Sequence, residues 1–228
     1  RAPFMPQAGR RRKSSGANLC MGGLYGPGEP GVGDSSKGKN VMVETRSQAD
    51  LAGILGLYRA VAAIPGGLAR TVEEITPDYV AHFLLRSLAA GVILVARCPD
   101  SGSILGAVHA YVPEPSVFSH VLGDLTVAIL PDAQGRGIGR QLLEGFLAIV
   151  GSQRPAIRRV ELIARESNRK AIDLYRNLGF VEEGRLVDRI QSVGGGFEAD
   201  VAMAWSRTPS QGVSWSAPLP PADRPPGS

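Results

Sequence analysis

The chain has 228 residues, 43% of them hydrophobic, enough for one domain with a true core plus tails. Its formal charge of +4 invites a nucleic-acid reading, yet residues 1–40 carry net +5 and residues 206–228 net +1, leaving −2 on residues 41–205. The basicity belongs to the tails, which argues against nucleic-acid binding through a folded core.

In chain order, the Gly-, Ser- and Pro-rich residues 1–39 open on Arg1 rather than Met. They are expected to be an arm that is disordered or derived from expression, with Arg10, Arg11, Arg12 and Lys13 solvated. Val41 to Arg46 reads as a first strand, and Ala49 to Ala63 as an amphipathic helix ended by Pro65, Gly66 and Gly67. A second helix opens at Thr76, carries Pro77 in its first turn and runs to about Ala90, with Gly91 closing it. His82, beside Phe83 and Leu85 at helical spacing, belongs to packing. Val92 to Arg97 and Ile104 to Val112 form a hairpin, and His120 to Leu130 a fourth strand. Regular alternation places His120, Leu122, Asp124 and Thr126 on one face of that strand.

The fourth strand breaks at Pro131 and Asp132 and turns into a helix that runs to about Val150. The turn reads Gln-x-x-Gly-x-Gly, with Gln134, Gly137 and Gly139 in the marked places and Gly135, Arg136, Ile138 and Arg140 around them. Glycines at a strand-to-helix turn let backbone N–H groups approach an anion, and the helix N-terminus adds partial positive charge. A dinucleotide turn begun at Gly137 would need glycine or alanine where Leu142 stands, and a Gly-Lys-Ser/Thr phosphate loop is absent. A pyrophosphate remains the fitting ligand.

A fifth strand, Val160 to Ala164, leads to a helix capped by Ser167 or Asn168. There Ala171, Leu174, Tyr175 and Leu178 recur as one stripe expected to be buried, and Gly179 takes the C-cap place. A last hairpin, Leu186 to Ser192 and Glu198 to Trp205 across Gly194 to Gly196, closes the domain at residue 205. The tail 206–228 is Pro-rich and expected to be disordered. Cys20 and Cys98 offer no disulfide framework, which points to reduced thiols and a cytoplasmic protein. No apolar run reaches membrane-spanning length, so no membrane partner is expected.

The glycine turn, followed some thirty residues later by Ser-Asn-x-x-Ala-x-x-Leu-Tyr-x-x-x-Gly-Phe (Ser167 to Phe180), resembles the two cofactor motifs of the GCN5-related N-acetyltransferase (GNAT) superfamily, in that family's order. The resemblance covers residues 40–205. It implies an α/β fold of the α+β type, with a mixed, mostly antiparallel sheet splayed between strands 4 and 5 and helices on both faces. It also implies acetyl-CoA as co-substrate, no metal, and an N-acetyltransferase passing acetyl directly to an amine acceptor in a ternary complex. A non-catalytic acyl-CoA-binding sensor or interaction module is the alternative.

By the same resemblance, the amides of Gly135, Arg136, Gly137, Ile138, Gly139 and Arg140 hold phosphate, with both arginine side chains free to pair with it. Main-chain groups of Val127, Ala128 and Ile129 meet pantetheine and the acetyl carbonyl. Gln134, Asn168 and Ala171 complete the cofactor site, and Tyr175 matches the general acid. Asp124 and His120 are the expected bases, with His109 on the neighbouring strand. Glu161 is a weaker one, because Ile163 stands where many members carry a glutamate. Asp188, Arg189, Glu198 and Asp200 on the last hairpin face either a polar amine or solvent. That hairpin also leaves room for a homodimer. The identity of the amine is not legible.

Overall fold

The computed structural model describes residues 42–45, 50–191 and 195–207. The expectations for residues 1–39 and 208–228, and for Ser192 and Gly194 in the last turn, lie outside the described residues.

Strand β1 (Met42–Thr45) lies at one sheet edge and precedes helix α1 (Leu51–Ala62). Ile54, Leu57, Tyr58 and Val61 of α1 are buried at the spacing of a single helix face. Helix α2 (Pro77–Ala90) buries Val80, Phe83, Leu84 and Ser87 by the same rule. Its start is set by Thr76, whose hydroxyl accepts the Tyr79 amide at 3.1 Å, and by Pro77, whose missing N–H costs nothing at that position. His82 is exposed and leaves the packing to its neighbour Phe83.

Strands β2 (Gly91–Arg97), β3 (Ile104–Tyr111), β4 (Val121–Ile129), β5 (Arg159–Arg165), β6 (Val181–Gln191) and β7 (Phe197–Ser206) complete a seven-stranded sheet in the order β1-β2-β3-β4-β5-β7-β6. All neighbours are antiparallel except β4 and β5. Strand β2 is almost wholly apolar because both its faces are covered. Ile93 and Val95 meet α1 and α2, whereas Val92, Leu94 and Ala96 join the opposite core. That second core is filled by helix α3 (Ile138–Gln153), through Leu142, Leu143, Phe146 and Val150, and by Ile172 of helix α4 (Arg169–Asn177). The result is the expected mixed sheet with helices on both faces.

Three expectations need correction. The α4 stripe of Ala171, Leu174, Tyr175 and Leu178 is only half-buried, and Ile172 is the helix's buried residue. Ala171, Leu174 and Tyr175 border a cavity on one side, while Leu174, Tyr175 and Leu178 pack against the edge of the α3 core. Strand β6 starts at Val181, not Leu186, because an edge strand with one exposed face shows no apolar alternation to read. The ordered fold also extends past Trp205. Arg207 donates from Nε to the Ile157 carbonyl at 3.0 Å, and from its two Nη atoms to Val150, Gly151 and Arg154 at 2.7–3.0 Å. These are carbonyls of the last turn of α3, of its C-cap Arg154 and of the segment just after it, and a cation there also opposes the helix dipole.

Truncating that clamp is therefore expected to matter more than a surface position suggests. Arg207→Ala should lower the unfolding free energy by about 1–3 kcal/mol, read from the urea midpoint at unchanged slope.

Candidate active site

A single irregularity in β4 positions the site. Asp124 has φ +53°, and the pairing of β3 with β4 slips between His109 and Tyr111. The extra residue reverses the strand's alternation. Leu122 points into the α3 core, and so do Leu125 and Val127, while Ala128 packs with α1 and α2. The expected common face of His120, Leu122, Asp124 and Thr126 therefore does not exist.

Past the bulge, β4 and β5 separate. Their parallel pairing is limited to Val121 with Arg159 and Leu122 with Val160, whereas β5 continues beside β7 along its full length. Leu130 donates its amide to Leu105 of the adjoining β3 segment at 2.9 Å. Main-chain groups alternate sides along a strand, so those of Ala128 also face β3 and those of Val127 and Ile129 face the gap. Gln134 reaches one of these groups, its Nε2 donating to the Ile129 carbonyl at 3.3 Å.

At the end of β4 a short 3-10 turn, Pro131–Ala133, delivers the chain to the glycines. Gly135 and Gly137 have φ +74° and +78°, and an added Cβ at either would meet nothing within 4 Å. Gly137 caps α3 in the left-handed conformation. The first bond back to the turn runs from the Gln141 amide to the Gly137 carbonyl, 3.1 Å, so the amides of Ile138, Gly139 and Arg140 have no acceptor within the helix.

These pieces enclose a cavity of about 630 Å³. Its walls are Val127 and Ile129 of β4, Gln134, Gly135 and Gly137 to Arg140 of the turn, and Asn168, Ala171, Leu174 and Tyr175 around α4. Ile64 to Gly67, after α1, cover it, and Lys170 adds a second cation beside Arg140. Lys170 lies outside the marked positions of the two motifs, whereas Pro65, Gly66 and Gly67 end the first helix in a chain that passes close to its neighbours. Gly67 does so: its Cβ would lie 2.1 Å from the Val61 carbonyl oxygen.

A second cavity, about 270 Å³, adjoins the first. Gly66, Gly67, Val127, Asn168, Ala171 and Tyr175 border both. Its other walls are Thr126, Ile163, Arg165, Arg189 and Asp200 among others. Tyr175 thus stands where the two meet, and burial pushes its phenol up to about 12. Asn168 caps α4, its Oδ1 accepting the Ala171 amide at 3.2 Å.

Several expected residues stand elsewhere. Arg136 and Ala128 line neither cavity, the first exposed on the turn and the second fully buried beneath α1 and α2. Asp124 is exposed and touches Tyr111, whose phenol is pushed up to about 12 by burial first and by Asp124 second. His120 is exposed at the far end of β4, its carbonyl accepting the Arg158 amide at 2.8 Å. Glu161 pairs with Arg159 at 2.5 Å. His109 is a core residue: it stacks on Phe83 at 4.0 Å, its Nδ1 lies 2.7 Å from the Tyr58 hydroxyl, and burial depresses it to about 3. Among the described residues no group of three or more His, Cys, Asp or Glu is arranged to hold a metal, and no helix is long and apolar enough to cross a membrane.

A family model described as Acetyltransferase (GNAT) family matches residues 67–180, half of the chain. A GNAT-family acetyltransferase from Streptococcus pneumoniae is similar in fold, with a TM-score of 0.65 and 21% identity over 73% of this chain and 99% of that one. A ribosomal-protein-alanine N-acetyltransferase from Brucella melitensis gives a TM-score of 0.59 and 23% identity over 72% and 99%. A Salmonella typhimurium protein solved with its cofactor acetyl-CoA gives 0.60 and 20% over 74% and 94%. No curated protein matches the chain.

The two glycines of the turn should respond oppositely to alanine. Gly137→Ala forces a Cβ onto φ +78° and should cost about 1–2 kcal/mol. At Gly139 the new methyl would make ordinary contact with Leu174 at 3.7 Å, so Gly139→Ala should be neutral or stabilising by up to about 1 kcal/mol. Equilibrium denaturation of both variants checks the pair.

Proposed function

Because the chain belongs to the acetyltransferase (GNAT) family, we propose that it passes acetyl from acetyl-CoA directly to an amine in a ternary complex. The observation that carries this reading is the junction: Tyr175 borders both cavities, one suited to a long anionic thioester and the other to a small acceptor. The larger cavity fits the cofactor in its chemistry. Unpaired first-turn amides and the cations Arg140 and Lys170 suit pyrophosphate, and the open space over Gly135 and Gly137 lets it approach the backbone. When bound, acetyl-CoA supplies an acyl group activated as a thioester.

The residues of this chain do the rest. Main-chain groups of Val127 and Ile129, free of sheet partners, hold the pantetheine arm. An amide fixed there stabilises negative charge developing on the carbonyl oxygen without reorganising. The Tyr175 hydroxyl donates to the departing sulfur. Burial widens the gap between phenol and thiol beyond what unperturbed values of about 10 and 8.5 would leave. The phenol therefore acts as a hydrogen-bond donor while charge builds on sulfur, and it stays protonated throughout the neutral range.

Thermal unfolding with and without acetyl-CoA tests the binding half. A ligand that binds only the folded state at about 100 times its Kd stabilises by roughly 2.7 kcal/mol. The midpoint should rise in the parent and in Tyr175→Phe, but not in Gly137→Trp. Release of CoA with a panel of amines tests the chemistry. Tyr175→Phe should lower kcat about 10²-fold or more while leaving KM for acetyl-CoA nearly unchanged. A midpoint shift without CoA release from any amine would favour the sensor reading. The Tyr175 donor is lost only as pH rises through about 12. No fall in rate assignable to that phenol should appear up to about pH 10, where an unperturbed tyrosine would already be half ionised.

A further inference from the structure

The smaller cavity holds a carboxylate that the cofactor site does not use. Along β7, Val201 and Met203 point into the α3 core, so Asp200 and Ala202 face the other side of the sheet. There Asp200 lies opposite Arg165 of β5, and Ala202 opposite Ile163. Arg165 and Ile163, like Asp200, border the cavity. Asp200 is 8% exposed, and its one ion partner among the described residues is Arg189 of β6, Nε to Oδ2 at 3.3 Å. Arg165 is engaged by Glu198, Nη1 to Oε2 at 3.4 Å. The charged side chains on the cavity wall are therefore Arg165, Arg189 and Asp200, and Asp200 alone can accept a proton. Asp124, His120, Glu161 and His109 all stand outside it.

Resting on the acetyltransferase reading above, we propose that Asp200 is the catalytic base that takes the proton of the acceptor ammonium, and that Arg189 positions its carboxylate. The ammonium gives a proton to Asp200, directly or through one water. The freed nitrogen lone pair forms the N–C bond to the acetyl carbon. The C–S bond breaks with its electron pair on sulfur, the Tyr175 hydroxyl donates a hydrogen bond to the departing thiolate, and solvent supplies the proton that makes it a thiol. The nitrogen's second proton leaves to solvent. Burial raises the Asp200 carboxyl above the usual aspartate range, while Arg189 and Arg165 oppose that rise and Glu198 adds to it. A carboxylate placed so is a better base than an exposed one.

The test uses two probe amines at neutral pH. Ethylamine is almost wholly protonated there and needs a base, whereas hydroxylamine is largely neutral and does not. In Asp200→Asn, transfer to ethylamine should fall by about 10²- to 10³-fold and transfer to hydroxylamine by less than about fivefold. The acetyl-CoA-induced rise in unfolding midpoint should be retained, which separates loss of chemistry from loss of folding. In Arg189→Gln, with a cation removed from Asp200, the acid limb of the ethylamine pH–rate profile should move to higher pH. Equal loss with both amines, or an unmoved limb in Arg189→Gln, would make Asp200 a structural ion-pair residue and overturn the proposal. If the parent transfers acetyl to neither probe nor to any amine of the panel, the acetyltransferase reading itself fails, and this proposal with it.

Discussion

The site depends on the parting of two strands. A sheet that stayed paired from β4 to β5 would satisfy every main-chain group at its centre and leave nothing for a ligand to bond. Here one extra residue at Asp124, in a left-handed conformation, tilts β4 away after two residue pairs. The sheet forgoes the ladder hydrogen bonds that continued β4–β5 pairing would make. In return, donors and acceptors of Val127 and Ile129 face a gap floored by α3 and α4, held rigid by the β3 pairing behind them. Rigidity matters because a donor already in place needs no reorganisation when charge develops.

The glycine turn and α4 give that gap its chemistry. Gly135 and Gly137 adopt angles that other residues pay for, and keep the space above the turn clear. Gln134 ties the turn back to the last carbonyl of β4, linking strand, turn and helix N-terminus. Helix α4 presents Ala171, Leu174 and Tyr175 to the cavity, and it is anchored by the buried Ile172, by Leu174, Tyr175 and Leu178 against the core, and by the Asn168 cap. The ends of this short helix are fixed by that cap and by the left-handed Gly179 at φ +89°.

On the far side of the gap, the terminal hairpin brings charge into a recess. Ion pairs there differ from those on the open surface. Arg185 with Glu166, and Arg176 with Asp173, are solvated and contribute little. Asp200 and its Arg189 partner border a cavity, and burial there raises the Asp200 carboxyl above its ordinary value.

What the sequence determined by itself is what depends on neighbours a few residues apart. The Thr76 and Asn168 caps, the presence of α1, α2 and α3, and the strand-turn-helix around Gln134 to Arg140 follow from local sterics and period, whereas His82 and Leu85 of α2, expected in the packing, are exposed. The tertiary structure decided everything that needs parity or distance across the chain. No residue type announces the bulge at Asp124, so alternation carried His120 and Asp124 toward a cleft they do not enter. Ala128 and Arg136 fit the motif by position, yet pairing with β3 turns the first inward and the helix start leaves the second exposed. Asp200 and Tyr175 are separated by a helix end, a turn and a hairpin, and only the β5–β7 pairing puts them on one cavity wall. A carboxylate's chemistry is set by what desolvates it, and those partners are gathered by the fold rather than by the order of residues.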